Sequence, residues 1–236
     1  MNFRKLLTPL LTVGLIFSSA SSAFAQEKPD YDTDRYTIVK EYDQNNSTPF
    51  FNAQSVDESI PEIDLEVSEG YDVDLLENTT RPLYDLRDKE TGEIVTQYAT
   101  DVSILAAGQR SDNQEYKEFN IKVYGTIYYI LTGKNSLYVT IDKVSFRWEN
   151  NGRTPGTKDH SVYVDQFGAT EGGAKVNQNK TVTYGLVSHG TVLVRDWNWT
   201  PVFTSPEASS VAVKFNATEV DAIGGTHPLS FVIRLY

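Results

Sequence analysis

KEFNIKVYGTIYYILTGKNSLYVTIDKVSFRWE, residues 117–149, is the stretch whose reading decides the fold. In its first half Phe119, Ile121, Val123, Ile127, Tyr129 and Leu131 are apolar, while Asn120, Lys122, Thr126 and Thr132 are polar. A period of two marks a strand with one buried and one wet face. Thr132-Gly133-Lys134-Asn135-Ser136 supplies turn formers, and a second β-rich arm begins at Leu137.

With Leu131 opposite Leu137, the pairs Tyr129–Val139 and Ile127–Ile141 follow on one apolar face. Beyond Ile141 the phase changes: Lys143, Ser145 and Arg147 take the odd positions, and Val144, Phe146 and Trp148 the even ones. One extra residue near Asp142-Lys143, a β-bulge, restores a single face. It sets Val144 near Gly125, Phe146 near Val123 and Trp148 near Ile121. The alternative is a second arm that crosses between sheets at Asp142. On the opposite face Tyr124, Tyr128, Ile130 and Tyr138 call for a cover, from the N-terminal arm or another strand, or form an aromatic surface.

Outward from this hairpin the same alternation recurs. Ile63, Leu65 and Val67 alternate with acids, Gly70 interrupts, and Tyr71, Val73 and Leu75 resume against Asp72 and Asp74. Carboxylates along such a strand guard an open edge against aggregation. Leu83–Leu105 reads as a second hairpin through Asp88-Lys89-Glu90-Thr91-Gly92. Short strands are predicted at 161–164, 181–187, 191–195, 210–216 and 229–235, with loops over 150–156 and 168–179. About nine strands and weak helical periodicity predict an all-β, antiparallel β-sandwich, jelly-roll or immunoglobulin-like, over 62–236.

The N-terminus has the organisation of a secretory signal peptide. Arg4 and Lys5 precede the apolar run Leu6–Phe17, and Ala23-Phe24-Ala25 forms an A-x-A site, which predicts cleavage after Ala25. The apolar run is too short to cross a bilayer, which takes roughly 20 residues. The sequence has no cysteine, which excludes disulfides, a thiol nucleophile and thiolate metal sites, and favours a bacterial source for an exported chain. Cleavage leaves 211 of the 236 residues, with 19 basic side chains against 32 acidic ones, a net charge of −13. That charge argues against nucleic acid and anionic lipid as partners, and integral membrane insertion is not expected.

Residues 26–61 form an acidic, Asn- and Ser-rich arm, expected to be extended and partly disordered, with Tyr36-Thr37-Ile38-Val39 able to add one edge strand. Asp30, Asp32, Asp34 and Glu41 fall at positions 1, 3, 5 and 12 of an EF-hand-like loop, which suits Ca²⁺. Arg35, however, stands where the loop needs glycine, so no cofactor is expected beyond that weak calcium match.

Catalytic motifs of the zinc-protease and serine-hydrolase types are absent. The three histidines, His160, His189 and His227, have no ligand spacing and are expected at the surface. Glycoside hydrolysis needs only two suitably spaced carboxylates, a demand that 32 acidic residues meet too easily to be informative. Arg195-Asp196-Trp197-Asn198-Trp199 is the more specific signal. On an extended strand Trp197 and Trp199 share one face and could stack on sugar rings; alternatively both close one end of the core. Val192 and Val194 have the opposite parity to that face, so either the strand shifts phase at Arg195-Asp196 or the Trp pair faces away from that core.

The sequence thus predicts an exported, non-catalytic binding protein that acts at or outside the bacterial cell envelope, with cell-wall glycan or another protein as partner. The alternatives are a polysaccharide hydrolase with paired carboxylates and a secreted β-hairpin toxin.

Overall fold

The computed structural model describes residues 31–43, 63–68, 71–108, 120–133, 137–150, 156–205, 210–220 and 224–236. They hold twelve strands: β1 (Tyr36–Glu41), β2 (Ile63–Val67), β3 (Tyr71–Asp88), β4 (Ile94–Gly108), β5 (Asn120–Thr132), β6 (Tyr138–Asn150), β7 (Gly156–Ala169), β8 (Lys175–Gly185), β9 (His189–Leu193), β10 (Val202–Phe203), β11 (Ser210–Val220) and β12 (Thr226–Leu235). Every pairing is antiparallel. A seven-stranded sheet has the order β1-β3-β4-β5-β6-β10, with β9 beside β10 along the same edge of β6, and a five-stranded sheet the order β2-β12-β11-β7-β8. The larger sheet curls as a half-barrel, and the all-β, sandwich-type class follows.

The core lies between the two sheets, and alternation explains its membership. β5 contributes Ile121, Val123, Ile127, Tyr129 and Leu131, and β6 contributes Val139, Ile141, Val144, Phe146 and Trp148. Val211, Val213, Phe215 and Ala217 of β11 and Leu229, Phe231, Ile233 and Leu235 of β12 face them. Gly125 breaks the β5 pattern because a side chain does not fit there. A Cβ at Gly125 would lie 2.8 Å from the Phe215 ring and 3.2 Å from Ile233.

The hairpin carries its bulge at Asp142: Tyr128 pairs with Lys143 and Tyr129 with Ile141. Its register, however, differs by two residues from the expected one. Leu131 pairs with Val139, Ile127 with Val144, Gly125 with Phe146 and Val123 with Trp148. A shift of two keeps every side chain on its face, so alternation cannot detect it. The connection decides it: Gly133 adopts φ +78° with the Tyr138 ring against it, and Leu137 is left exposed outside the ladder.

Strands β3 and β8 also depart from expectation. Tyr71–Asp88 is one 18-residue strand, with register shifts between Leu75 and Glu77 and between Pro82 and Tyr84. A proline inside it is tolerated because β1 covers only the Tyr84–Asp88 part of its outer edge, and an open edge needs no donor there. Lys175–Asn179, expected in a loop, belongs to β8, an edge strand so polar that its alternation is faint.

The back of the hairpin is partly covered, and by the arm. Tyr36 of β1 joins Leu86, Val95 and Ile130 in a second, smaller cluster, with Tyr31 and Tyr84 packed on it. Lys143 lies over the Tyr128 ring at 3.8 Å and Arg147 over the Tyr124 ring at 4.3 Å, so two further tyrosines lie against cations rather than against a third layer.

Candidate functional site

One side of the sandwich, between the β6 edge and the β8 edge, is closed by the segment from β9 to β10. Val194–Trp197 forms a turn of 3₁₀ helix, and Asn198 follows with φ 53° and ψ 43°. Trp197 and Trp199 therefore do not alternate along an extended strand, which corrects the sequence-based geometry. Of the two readings of the parity conflict the chain takes the phase shift at Arg195-Asp196, in the form of this turn, and both indoles pack on the core.

The turn still brings the two indoles together, with ring centroids 4.9 Å apart and planes at 57°. Both are half-buried and pack against the main core. Lys180 of β8, exposed, holds its ammonium 4.6 Å from the Trp197 centroid. Two glutamines fix the segment. Gln178 Nε2 donates to the Thr200 carbonyl at 2.9 Å, and its Oε1 accepts from the Thr200 N–H at 2.7 Å. Gln166, fully buried, donates to the same carbonyl at 2.7 Å and accepts from the Ile141 N–H at 3.1 Å. The five-stranded sheet thus grips the loop that carries the indoles, and Gln166 ties that grip to Ile141 of the larger sheet. In the sequence this framework was hidden, since nothing in Gln166 or Gln178 announces a partner at Thr200.

Behind this loop lies a buried polar node at the bulge. Asp142 accepts from Gln97 Nε2 at 3.0 Å, and the Arg195 guanidinium approaches the same carboxylate at 3.7 Å. Gln97 and Asp142 are buried, and the Arg195 side chain is 13% exposed. Tyr36 lies close enough for Asp142 to affect it electrostatically. Its phenol is pushed up to about 12, chiefly by burial. The extra residue of the bulge therefore carries a charge to Gln97, beside the smaller Tyr36 cluster, and meets the Arg195 cation of the indole turn.

The residues read as a calcium loop are dispersed. Asp30 lies outside the described residues. Asp32 Oδ1 accepts from the Asp34 and Arg35 N–H groups, at 2.9 and 3.3 Å, and so closes a local turn. Arg35 is turned to Asp88, Nε to Oδ2 2.8 Å. Glu41 ends β1, about 16 Å along an extended chain from Tyr36. Among the described residues no group of three or more His, Asp or Glu side chains is placed to hold a metal ion.

Of the histidines, His160 departs from the expected surface position. It is fully buried, with Nδ1 2.9 Å from the Gly185 carbonyl and Nε2 2.8 Å from Thr157 Oγ1. A neutral ring satisfies both contacts, Nδ1–H donating to the carbonyl and Nε2 accepting from the hydroxyl. Burial pulls its pKa down, against the partial opposing effect of the Gly185 bond and Asp159. The stability supplied by the neutral ring is complete above the unfolded value near 6.5 and is lost as the pH falls through the lower folded value. Thermal melts between about pH 8 and about pH 5 should therefore show a falling midpoint, with a shallower slope for His160→Asn. Equal slopes would refute this assignment. Asp88 acts in the same direction at lower pH: burial raises its carboxyl, but Arg35 and the Thr91 and Glu90 N–H groups outweigh that and hold it below the usual range.

These features define a two-sheet, all-β protein of the sandwich type, closed on one side by a tryptophan-bearing turn. No protein-family model, curated protein or solved structure matches the chain. Among the described residues no helix is long and apolar enough to cross a membrane.

Proposed function

We propose that the protein is exported and acts as a non-catalytic binding protein at or outside the bacterial cell envelope, with cell-wall glycan as the partner. Export rests on the basic, apolar and A-x-A sections of residues 1–25. The observation that carries the binding reading is the Trp197–Trp199 pair, with Lys180 over the Trp197 ring. Indoles that are half-buried, fixed in angle and clamped by Gln166 and Gln178 are pre-organised, so little ordering cost falls on the moment of binding. Their remaining free surface suits the apolar faces of sugar rings, and Lys180, Asp196 and Asn198 supply polar groups beside them.

Retention on purified cell wall, with and without calcium, tests the reading directly. Trp197→Ala and Trp199→Ala should each weaken binding about tenfold. Both variants are to be checked for folding by circular dichroism. Undiminished retention by folded variants would exclude the indole pair, and leakage from liposomes at micromolar protein would move the function to membranes. Calcium-dependent retention would point instead to a cation site apart from the indole pair.

A further inference from the structure

We infer that β1 is an exchangeable strand, and that the groove on β3 that receives it takes the same strand from a second copy of the chain. β1 is weakly embedded: Tyr36 is buried, while Thr37 to Glu41 are exposed, including the apolar side chains of Ile38 and Val39. The socket for Tyr36 is built without β1, from Leu86 of β3, Val95 of β4 and Ile130 of β5.

The polar clasps around the socket likewise belong to the rest of the fold. Asp88 receives Arg35, Asp85 receives the Tyr42 hydroxyl at 3.1 Å, and Lys89 Nζ donates to the Thr33 carbonyl at 2.7 Å. Asp88 is already fixed by the Glu90 and Thr91 N–H groups, at 2.8 and 3.1 Å, so the clasp stands ready whether or not a strand is docked.

The register reinforces this asymmetry. β1 pairs with Tyr84–Asp88 alone, with an irregularity between Ile38 and Lys40. Its own pairing is therefore short and interrupted, and it lies at the end of its sheet. An edge with aligned donors and acceptors is a template for another strand, and the strand of known fit is the identical one from a neighbour. Residues 44–62 connect β1 to β2, which lies in the other sheet. Their fully extended reach is about 60 Å, enough to extend between adjacent copies. Exchange would pair the copies and give an envelope-binding protein two linked sites, although it does not depend on what those sites bind.

The absence of cysteine makes the test clean. Thr37 and Arg87 are exposed cross-strand partners. Thr37→Cys and Arg87→Cys chains, mixed in equal amounts at high concentration and then oxidised, should yield a disulfide-linked species of twice the chain mass. Thr37→Cys mixed with Glu171→Cys, in the exposed turn before β8, should yield far less. The Thr37→Cys/Arg87→Cys double variant, diluted, should close within one chain, and Tyr36→Ala added to the mixed pair should speed formation of the linked species. No excess of the first mixture over the second, with the double variant closing normally, would overturn exchange. Failure of the double variant to close would overturn it as well, because β1 would then not occupy the groove.

Discussion

Phe215→Ala is expected to lower the free energy of unfolding by about 3–5 kcal/mol. Phe215 is fully buried, stacks on Phe231 with centroids 5.8 Å apart and lies 6.3 Å from Phe146. It is also the ring that occupies the hollow left by Gly125. The loss thus combines transfer of an aromatic side chain with a cavity at the centre of both sheets. Gly125→Ala alone should cost about 1–3 kcal/mol by overpacking. Combined with Phe215→Ala it should cost much less, because the new methyl enters vacated space. Urea denaturation of the two single variants and the double variant measures this coupling. Strict additivity would show that Gly125 is not small for the sake of Phe215.

Asp142→Ala should be the second severe change, at about 3 kcal/mol. Removing the carboxylate takes away the partner of a largely buried guanidinium and the acceptor of the fully buried Gln97 amide. A buried charge deprived of its partner costs more than the pair contributed. Asp142→Asn keeps an acceptor for Gln97 and should be milder. Because Arg195 lies in the same turn as Trp197, Asp142→Ala should also change tryptophan fluorescence in the folded state. A stability loss within about 0.5 kcal/mol would mean that solvent, rather than Asp142, satisfies Arg195.

Much of the architecture was legible because alternation is strong where one face is buried. Ile121, Val123, Ile127, Tyr129 and Leu131 announced the core strand, and the phase break at Asp142 announced the bulge. What alternation cannot supply is register modulo two, and there the hairpin was misjudged. Pairing Leu131 with Leu137 rather than Val139 keeps the same faces, and only the turn around Gly133 distinguishes them. β8 was missed in part for the complementary reason: Val176, Gln178, Val182 and Tyr184 are half-buried on one face, but Gln178 is polar and Lys180, at the same parity, is exposed. The candidate site was found by residue type and misread in geometry. Trp197 and Trp199 stood out, whereas the 3₁₀ turn between them and β9 depends on Gln166, Gln178 and Asp142, which are distant in sequence.

The partnership of β2 with the last strand has a consequence for the order of folding. In the seven-stranded sheet β3 pairs with β4, β4 with β5 and β5 with β6, a meander that can form as soon as residue 150 is available. In the five-stranded sheet Ile63 pairs with Leu235 and Val67 with Phe231, contacts between residues more than 160 positions apart. Such closure carries a large entropic penalty before any contact rewards it, so it comes late. A chain emerging from its N-terminus therefore holds this meander before β7 and β11 arrive to cover the inner faces of Ile121, Val123 and Ile127, and β2 stays unpaired until β12 follows. Truncation after Val220 should therefore remove β12 and leave β2 without its partner, while β7, β8 and β11 still face the larger sheet.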